Sequence, residues 1–140
     1  MTASTIQFEL VSPEAKLMSG PVKMAVIPGE EGEMGVGAGH AAFIVSLKPG
    51  VVRLYATDGS EPRHIFIAGG FADISAKNCT VLAEEAAMVD SIDPAQAEQQ
   101  VKNLKEDLGL AQEAADKIRI TRQLTLAKAR LQAVTGKIAA

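Results

Sequence analysis

Ile92-Asp93-Pro94-Ala95-Gln96-Ala97 is the point at which this 140-residue sequence changes its grammar. Asp93 suits a helix N-cap, and Pro94 fits the first helical position, where a missing N–H costs nothing. Gln96 completes a capping box, and Ile92 can staple onto Ala97. Ala97, Val101, Leu104 and Leu108 then recur at spacings of three and four, which predicts an amphipathic helix with Gly109 as its C-terminal cap. A second helix carries Ala114, Ile118, Thr121, Leu124, Leu131 and Val134 on one side. Two such helices joined by a few residues must run antiparallel, so 89–140 reads as a helical hairpin.

Before this point the period is two. Ile6, Phe8 and Leu10 alternate with polar neighbours, as do Val22, Met24 and Val26, and both runs read as half-buried strands. Ser19-Gly20-Pro21, Pro28-Gly29, Lys48-Pro49-Gly50, Asp58-Gly59 and Gly69-Gly70 punctuate residues 1–88 at hairpin spacing, with Asp-Gly a strong two-residue turn signal. Many short strands without a long helical stretch predict an antiparallel sandwich or flattened barrel, followed by the α-helical hairpin.

Composition narrows the function classes. With 47% hydrophobic and 22% charged residues the chain is expected to be an ordinary soluble protein, and no run of about 18 apolar residues offers a membrane-spanning helix. Polar residues follow Met1 where a secretory signal would need a basic start and an apolar stretch, so no targeting segment is expected. The single cysteine, Cys79, reads as a buried thiol of a reducing compartment. Residues 1–93 hold six basic and twelve acidic groups, whereas 94–140 hold eight and five, so the tail is a candidate for an acidic partner. Net charge of −3 and 4% aromatics argue against a nucleic-acid surface.

Chemistry-bearing clusters are sparse. The glycine-rich run from Pro28 to His40 contains Gly35-Val36-Gly37-Ala38-Gly39, yet no Gly-Lys-Ser/Thr or helix pattern follows, and Glu30, Glu31 and Glu33 would repel phosphate. Turns and bulges between strands, or an exposed loop for protein contact, fit better. His40 and His64 have no metal-ligand spacing with each other, Cys79 or a carboxylate, and His40 reads as a turn or interface residue. Glu84 and Glu85 close a strand as a solvated end. Lys117, Arg119, Arg122, Lys128, Arg130 and Lys137 outnumber Glu113 and Asp116 along the second helix, as either a solvated face or an electrostatic docking face. A hydrolase or ligand-binding sandwich would need a convergent polar site, for which only the carboxylates near Glu31 and His40 are on offer.

The order of motifs resembles the epsilon subunit of bacterial F-type ATP synthases, called delta in mitochondria. Phe8-Glu9-Leu10-Val11-Ser12-Pro13-Glu14 is similar to that family's opening strand. Pro28 to Val36 with Gly39-His40-Ala41 is similar to its central loop, and Leu47-Lys48-Pro49-Gly50-Val51-Val52 to the strand and turn after it. Gly69-Gly70-Phe71, Val81-Leu82-Ala83-Glu84-Glu85-Ala86 and Leu126-Ala127-Lys128-Ala129-Arg130-Leu131 extend the match over nearly the whole chain.

That resemblance implies a ten-stranded β-sandwich (1–88) contacting the gamma subunit and the ring of c subunits, and a regulatory or bracing hairpin (89–140). It places Glu31 and Gly32 toward the ring and His40 near gamma, on a rotor subunit with no active site of its own. It brings Arg119, Arg122, Lys128 and Arg130 to acidic β-subunit segments of the alpha/beta head when the hairpin extends, restraining ATP hydrolysis. The implied location is peripheral, on the cytoplasmic face of a bacterial inner membrane. Physically, each large apolar side chain contributes about 1.5–3 kcal/mol on burial, against roughly 1–2 kcal/mol of backbone entropy per ordered residue. So thin a hairpin is expected to need a docking surface and to be able to leave it.

Two departures alter the expectation. Where many members have Leu-Pro-Gly-His, Gly37-Ala38-Gly39-His40 makes a looser turn. Some bacterial members bind ATP through Ile/Leu-Asp-x-x-Arg-Ala; here Ile92, Asp93 and Ala97 remain but Gln96 replaces the arginine, removing the cation for phosphate. No bound cofactor is expected.

Overall fold

In the computed structural model, which describes residues 5–136, the opening alternation becomes β1 (Ile6–Val11), with Ile6, Phe8 and Leu10 buried and Gln7, Glu9 and Val11 half-buried. Nine strands follow: β2 (Lys16–Val22), β3 (Met24–Gly29), β4 (Gly32–Gly37), β5 (Phe43–Leu47), β6 (Gly50–Tyr55), β7 (Arg63–Ile67), β8 (Gly70–Ile74), β9 (Asn78–Ala83) and β10 (Ala86–Met88). Their order is β10-β7-β6-β3-β5-β8-β9-β1-β2, with β4 added to β3 alone. β3 is where the sheet folds over: Met24, Ala25 and Val26 pair with β6, and its last residue, Gly29, pairs with Leu47 of β5. Edges meet at a seam where Leu10, Leu17 and Met18 face Ile65, Ala86, Ala87 and Met88. Phe8, Ile27, Val36, Val52, Ile67 and Val81 fill the single core of this β-sandwich.

Eight of the nine ladders are antiparallel, and the ninth, β1 against β9, is parallel. Only a tight hairpin forces antiparallel pairing. β1 meets that condition with β2, which leaves its other edge free to take β9, far along the chain, in the same direction.

Several local expectations are corrected. Val22 and Met24 do not share a strand: Lys23 separates β2 from β3, and the inward parity of β3 belongs to Ala25 and Ile27, while Met24 is 37% exposed. Ser19-Gly20-Pro21 lies within β2, where proline is tolerated because β2 is the terminal strand and one edge needs no donor. Pro28-Gly29 ends β3, so the turn itself is Glu30-Glu31, closed by the Gly29–Gly32 pair. Asp58-Gly59 sits in the longer 56–62 loop rather than a two-residue hairpin, and Ser60 holds the Asp58 carboxyl below the usual range by hydrogen bonding.

Contacts divide the chain into two compact units, 1–88 and 89–140. The second comprises a 3-10 turn (Val89–Ser91), α1 (Pro94–Leu110) and α2 (Ala114–Thr135). Asp93 caps α1, its carboxylate accepting from Ala95 N at 2.9 Å. Among the described residues Gln96 makes no return bond, so the capping box is half-formed. Gly109 remains helical and Ala111 ends α1, its N–H donating to the Asp107 and Leu108 carbonyls. Gly136, left-handed at φ 71°, is the true glycine cap, on α2. Val101, Leu124 and Ala127, with Leu104, Leu108 and Leu131 beside them, form the seam between the helices. The buried face of α2 includes Ile120, whereas Ile118 is 56% exposed and lies off the stripe assigned to it.

Candidate functional site

Alternation along a sandwich strand sends one set of side chains inward and the other out, and the outward set is ordinarily polar. On the layer β5-β8-β9-β1 it is not. Ser46, Phe71, Leu82 and Val11 stand directly opposite one another in the registers of these four strands. Ile44 stands in the next row, opposite Asp73. Ile44 is 71% exposed, Phe71 55% and Leu82 48%, while their neighbours Ala72, Ile74, Val81 and Ala83 fill the core. Pro13 and Glu84 rim the shallow recess beside Phe71 and Leu82. Exposed apolar side chains grouped on one sheet face in this way make it a candidate docking face.

β5 links this face to two of the residues singled out in the sequence. His40 lies in the loop just before β5, half-buried, its Nδ1 2.8 Å from Ala41 O. That loop is pinned to the β8-β9 turn by Gly39 N donating to Ala76 O. At the other end of β5, Ser46 O accepts from Glu30 N at 3.1 Å, which seats the acidic tip. Glu30, Glu31 and Glu33 are exposed and Gly32 half-buried; with Phe43, Ile44 and Ser46 they border an open recess of about 540 Å³.

The other sequence candidates are not brought together in this way. At about 100° per residue, Arg119 and Arg130 flank one side of the buried stripe of α2, Lys117 and Lys128 flank the other, and Arg122 lies opposite it. Arg119 bonds Asp116 at 3.4 Å, and Arg130 reaches Gln100 of α1 at 3.4 Å. The bases surround the helix and form no single stripe; Lys137 lies outside the described residues. Asp93 spends its carboxylate on the cap, Ala97 is buried and Ile92 half-buried. His64 is exposed on β7, opposite Arg53 of β6. Among the described residues no group of three metal-ligating side chains exists. Cys79 is fully buried, and desolvation, with a smaller push from Asp73, raises its thiol to about 11.

The sequence reading passed over Phe71 and Leu82 as a face, although a signal was present. Each is a large apolar residue whose strand neighbours already supply the inward parity.

These features define a class: a small β-sandwich with exposed apolar residues on one sheet face, followed by a helical hairpin. Residues 5–89 match the family described as ATP synthase, Delta/Epsilon chain, beta-sandwich domain. Among similar proteins, the ATP synthase epsilon chain of Rhodospirillum centenum is 40% identical over 96% of this chain and 95% of its own length. That of Paramagnetospirillum magneticum is 42% identical over 94% and 98%. A chain of the Euglena gracilis mitochondrial ATP synthase (OSCP/F1/c-ring) superposes with a TM-score of 0.81 at 24% identity, covering 92% of this chain and 80% of that one. A chain of the Tetrahymena thermophila mitochondrial ATP synthase central stalk and c-ring gives 0.68 at 13%, covering 96% and 100%. The chain belongs to the ATP synthase delta/epsilon family, among its epsilon chains, as a subunit that is not itself catalytic.

Proposed function

We propose that the sandwich docks on the gamma subunit through the Ile44, Phe71 and Leu82 row, with His40 at one end of that contact and Glu31 and Gly32 meeting the c-ring at the other. The observation that carries this reading is the exposed apolar patch itself: Ile44 lies on β5 between the His40 loop and the acidic tip, and Phe71 and Leu82 cross β8 and β9 beside it. The chain in this role transmits rotation between the ring and the catalytic head. Its hairpin acts on the alpha/beta head through Arg119, Arg122, Lys128 and Arg130 when extended. No nucleotide is held at Ile92, Asp93 and Ala97, because the Asp93 carboxylate is engaged by Ala95 N and Gln96 supplies no cation. The place of work is the cytoplasmic face of a bacterial inner membrane, reached through partners; no described helix is long and apolar enough to cross a bilayer.

The test is association of the full chain with a gamma-containing catalytic head. Phe71→Asp places a charge at the centre of the row without touching the core, and should weaken association by about tenfold or more while melting like the parent. Undiminished association would refute the assignment of this face.

A further inference from the structure

Glu33 belongs by sequence to the acidic tip, yet the structure gives it a different employment. Arg53 of β6 stands opposite Val26 of β3, and Val26 stands opposite Gly35 of β4. Glu33 shares a face of β4 with Gly35, two residues on. The Arg53 side chain crosses β3 along this face, and its Nη2 lies 3.2 Å from both Glu33 Oε1 and Glu33 Oε2. Gly35 places no side chain in its path. Arg53 Nε is shielded from solvent and has no acceptor among the described residues, so it is Nη2 that ties the guanidinium to this carboxylate. Among the described strands β4 pairs with β3 only. Glu30 and Glu31 form no ion pair among the described residues.

We propose that Arg53 and Glu33 are positioning residues: a strap from β6 to β4 that fixes the pose of the β3-β4 hairpin and so presents Glu30 and Glu31, but not Glu33, to a cationic partner surface. The part concerning the partner rests on the docking reading above. Neutralising Glu33 internally also focuses the charge that remains at the tip. One member of the acidic run is thereby a structural counter-ion, and two are contact groups.

Two measurements on the full chain separate the strap from the docking. Hydrogen exchange of the β4 amides reads the strap in the free protein. Arg53→Gln and Glu33→Gln should each speed it by roughly two- to fivefold, the range set by a partly exposed ion pair. Amides of β7 and β8 should be unaffected, and the exchanged pair Glu33→Arg with Arg53→Glu should restore the parent rates. Unchanged β4 exchange in Arg53→Gln, or failure of the swapped pair to restore it, overturns the strap. Association with the detergent-solubilised c-ring complex reads the docking. Glu31→Ala should weaken it directly, and Arg53→Gln should weaken it with Glu31 intact. If Glu31→Ala leaves association unchanged while β4 exchange still rises in Arg53→Gln, the ring contact fails and the strap stands as a device of the hairpin alone.

Discussion

Gly70 stands where β8 leaves the corner after β7, at φ 141°, and a Cβ there would lie 1.9 Å from the Leu82 carbonyl oxygen. Backbone meets backbone at that point, so nothing can yield cheaply. Gly70→Ala is therefore expected to destabilise the sandwich by about 3 kcal/mol or more, measured by denaturant unfolding. Gly109→Ala is the opposite case: the glycine is helical with open space around it, and alanine should stabilise α1 by roughly 0.5–1 kcal/mol. The pair Gly69-Gly70 was legible in the sequence as a break, but the reason for it was not, because the opposing Leu82 carbonyl comes from a strand twelve residues further on. Cys79 makes stability depend on pH. Its thiol, fully buried, is raised from 9.0 to about 11, so the folded state holds its proton over a range in which the unfolded chain has released it. The unfolded state then binds fewer protons, and stability must fall as pH rises. This contribution is fully present below about pH 9 and is lost between about 9 and 11, an effect of about 2–3 kcal/mol. Unfolding free energies across that window should show the decline in the parent and a shallower one in Cys79→Ala.

Among the elements, the helices were the more legible because a period near 3.6 sustained over several turns admits few alternatives. Asp93 and Pro94 mark the start of α1 as expected, and Ala97, Val101, Leu104 and Leu108 line its buried side. Errors fell where tertiary context overrides local signal. Gly109 looked like a cap but the helix runs through it, and Ile118 looked inward although Ile120 is the residue buried. In the sheet, Pro21 read as a turn because the sequence cannot say which strand lies at an edge, and nothing local records that β1 takes β9 in parallel. Asp93→Ala should cost about 1 kcal/mol through loss of the bond to Ala95 N. Leu124→Ala opens the interhelical seam and should cost about 2–4 kcal/mol. Both losses should register in helical ellipticity on heating, while the core residues Phe8 and Ile67 keep their side-chain NMR signals through that first transition, since they belong to the other unit.

At the scale of the whole molecule the two units differ in how they hold together and in charge. Among the described residues the sandwich unit closes seventeen buried residues into one cluster, whereas the hairpin's seam has three buried members. Residues 1–88 hold ten acidic groups against six basic ones, whereas 89–140 hold seven and eight, with the bases concentrated on α2. A larger core followed by a thin hairpin with a basic second helix fits the proposed two-state arm, whose position its partners would bias. The bases of α2 nevertheless surround the helix, so an acidic surface that engages it must approach from one side and leave some of them unused. Deleting residues 89–140 should accordingly preserve assembly, because the Ile44, Phe71 and Leu82 row and the Arg53–Glu33 strap lie wholly in the retained unit. The measurement is ATP hydrolysis by a catalytic head lacking its epsilon chain, with full-length or truncated protein added back. Full-length protein should bind and lower the rate, and the truncation should bind without lowering it. Equal rates with both bound would make the hairpin a brace. In that case the positive charge of α2 serves solubility or fixed contacts, and Arg122→Glu, on the side opposite the buried stripe, should leave hydrolysis unchanged; an inhibitory arm predicts instead that this reversal relieves inhibition.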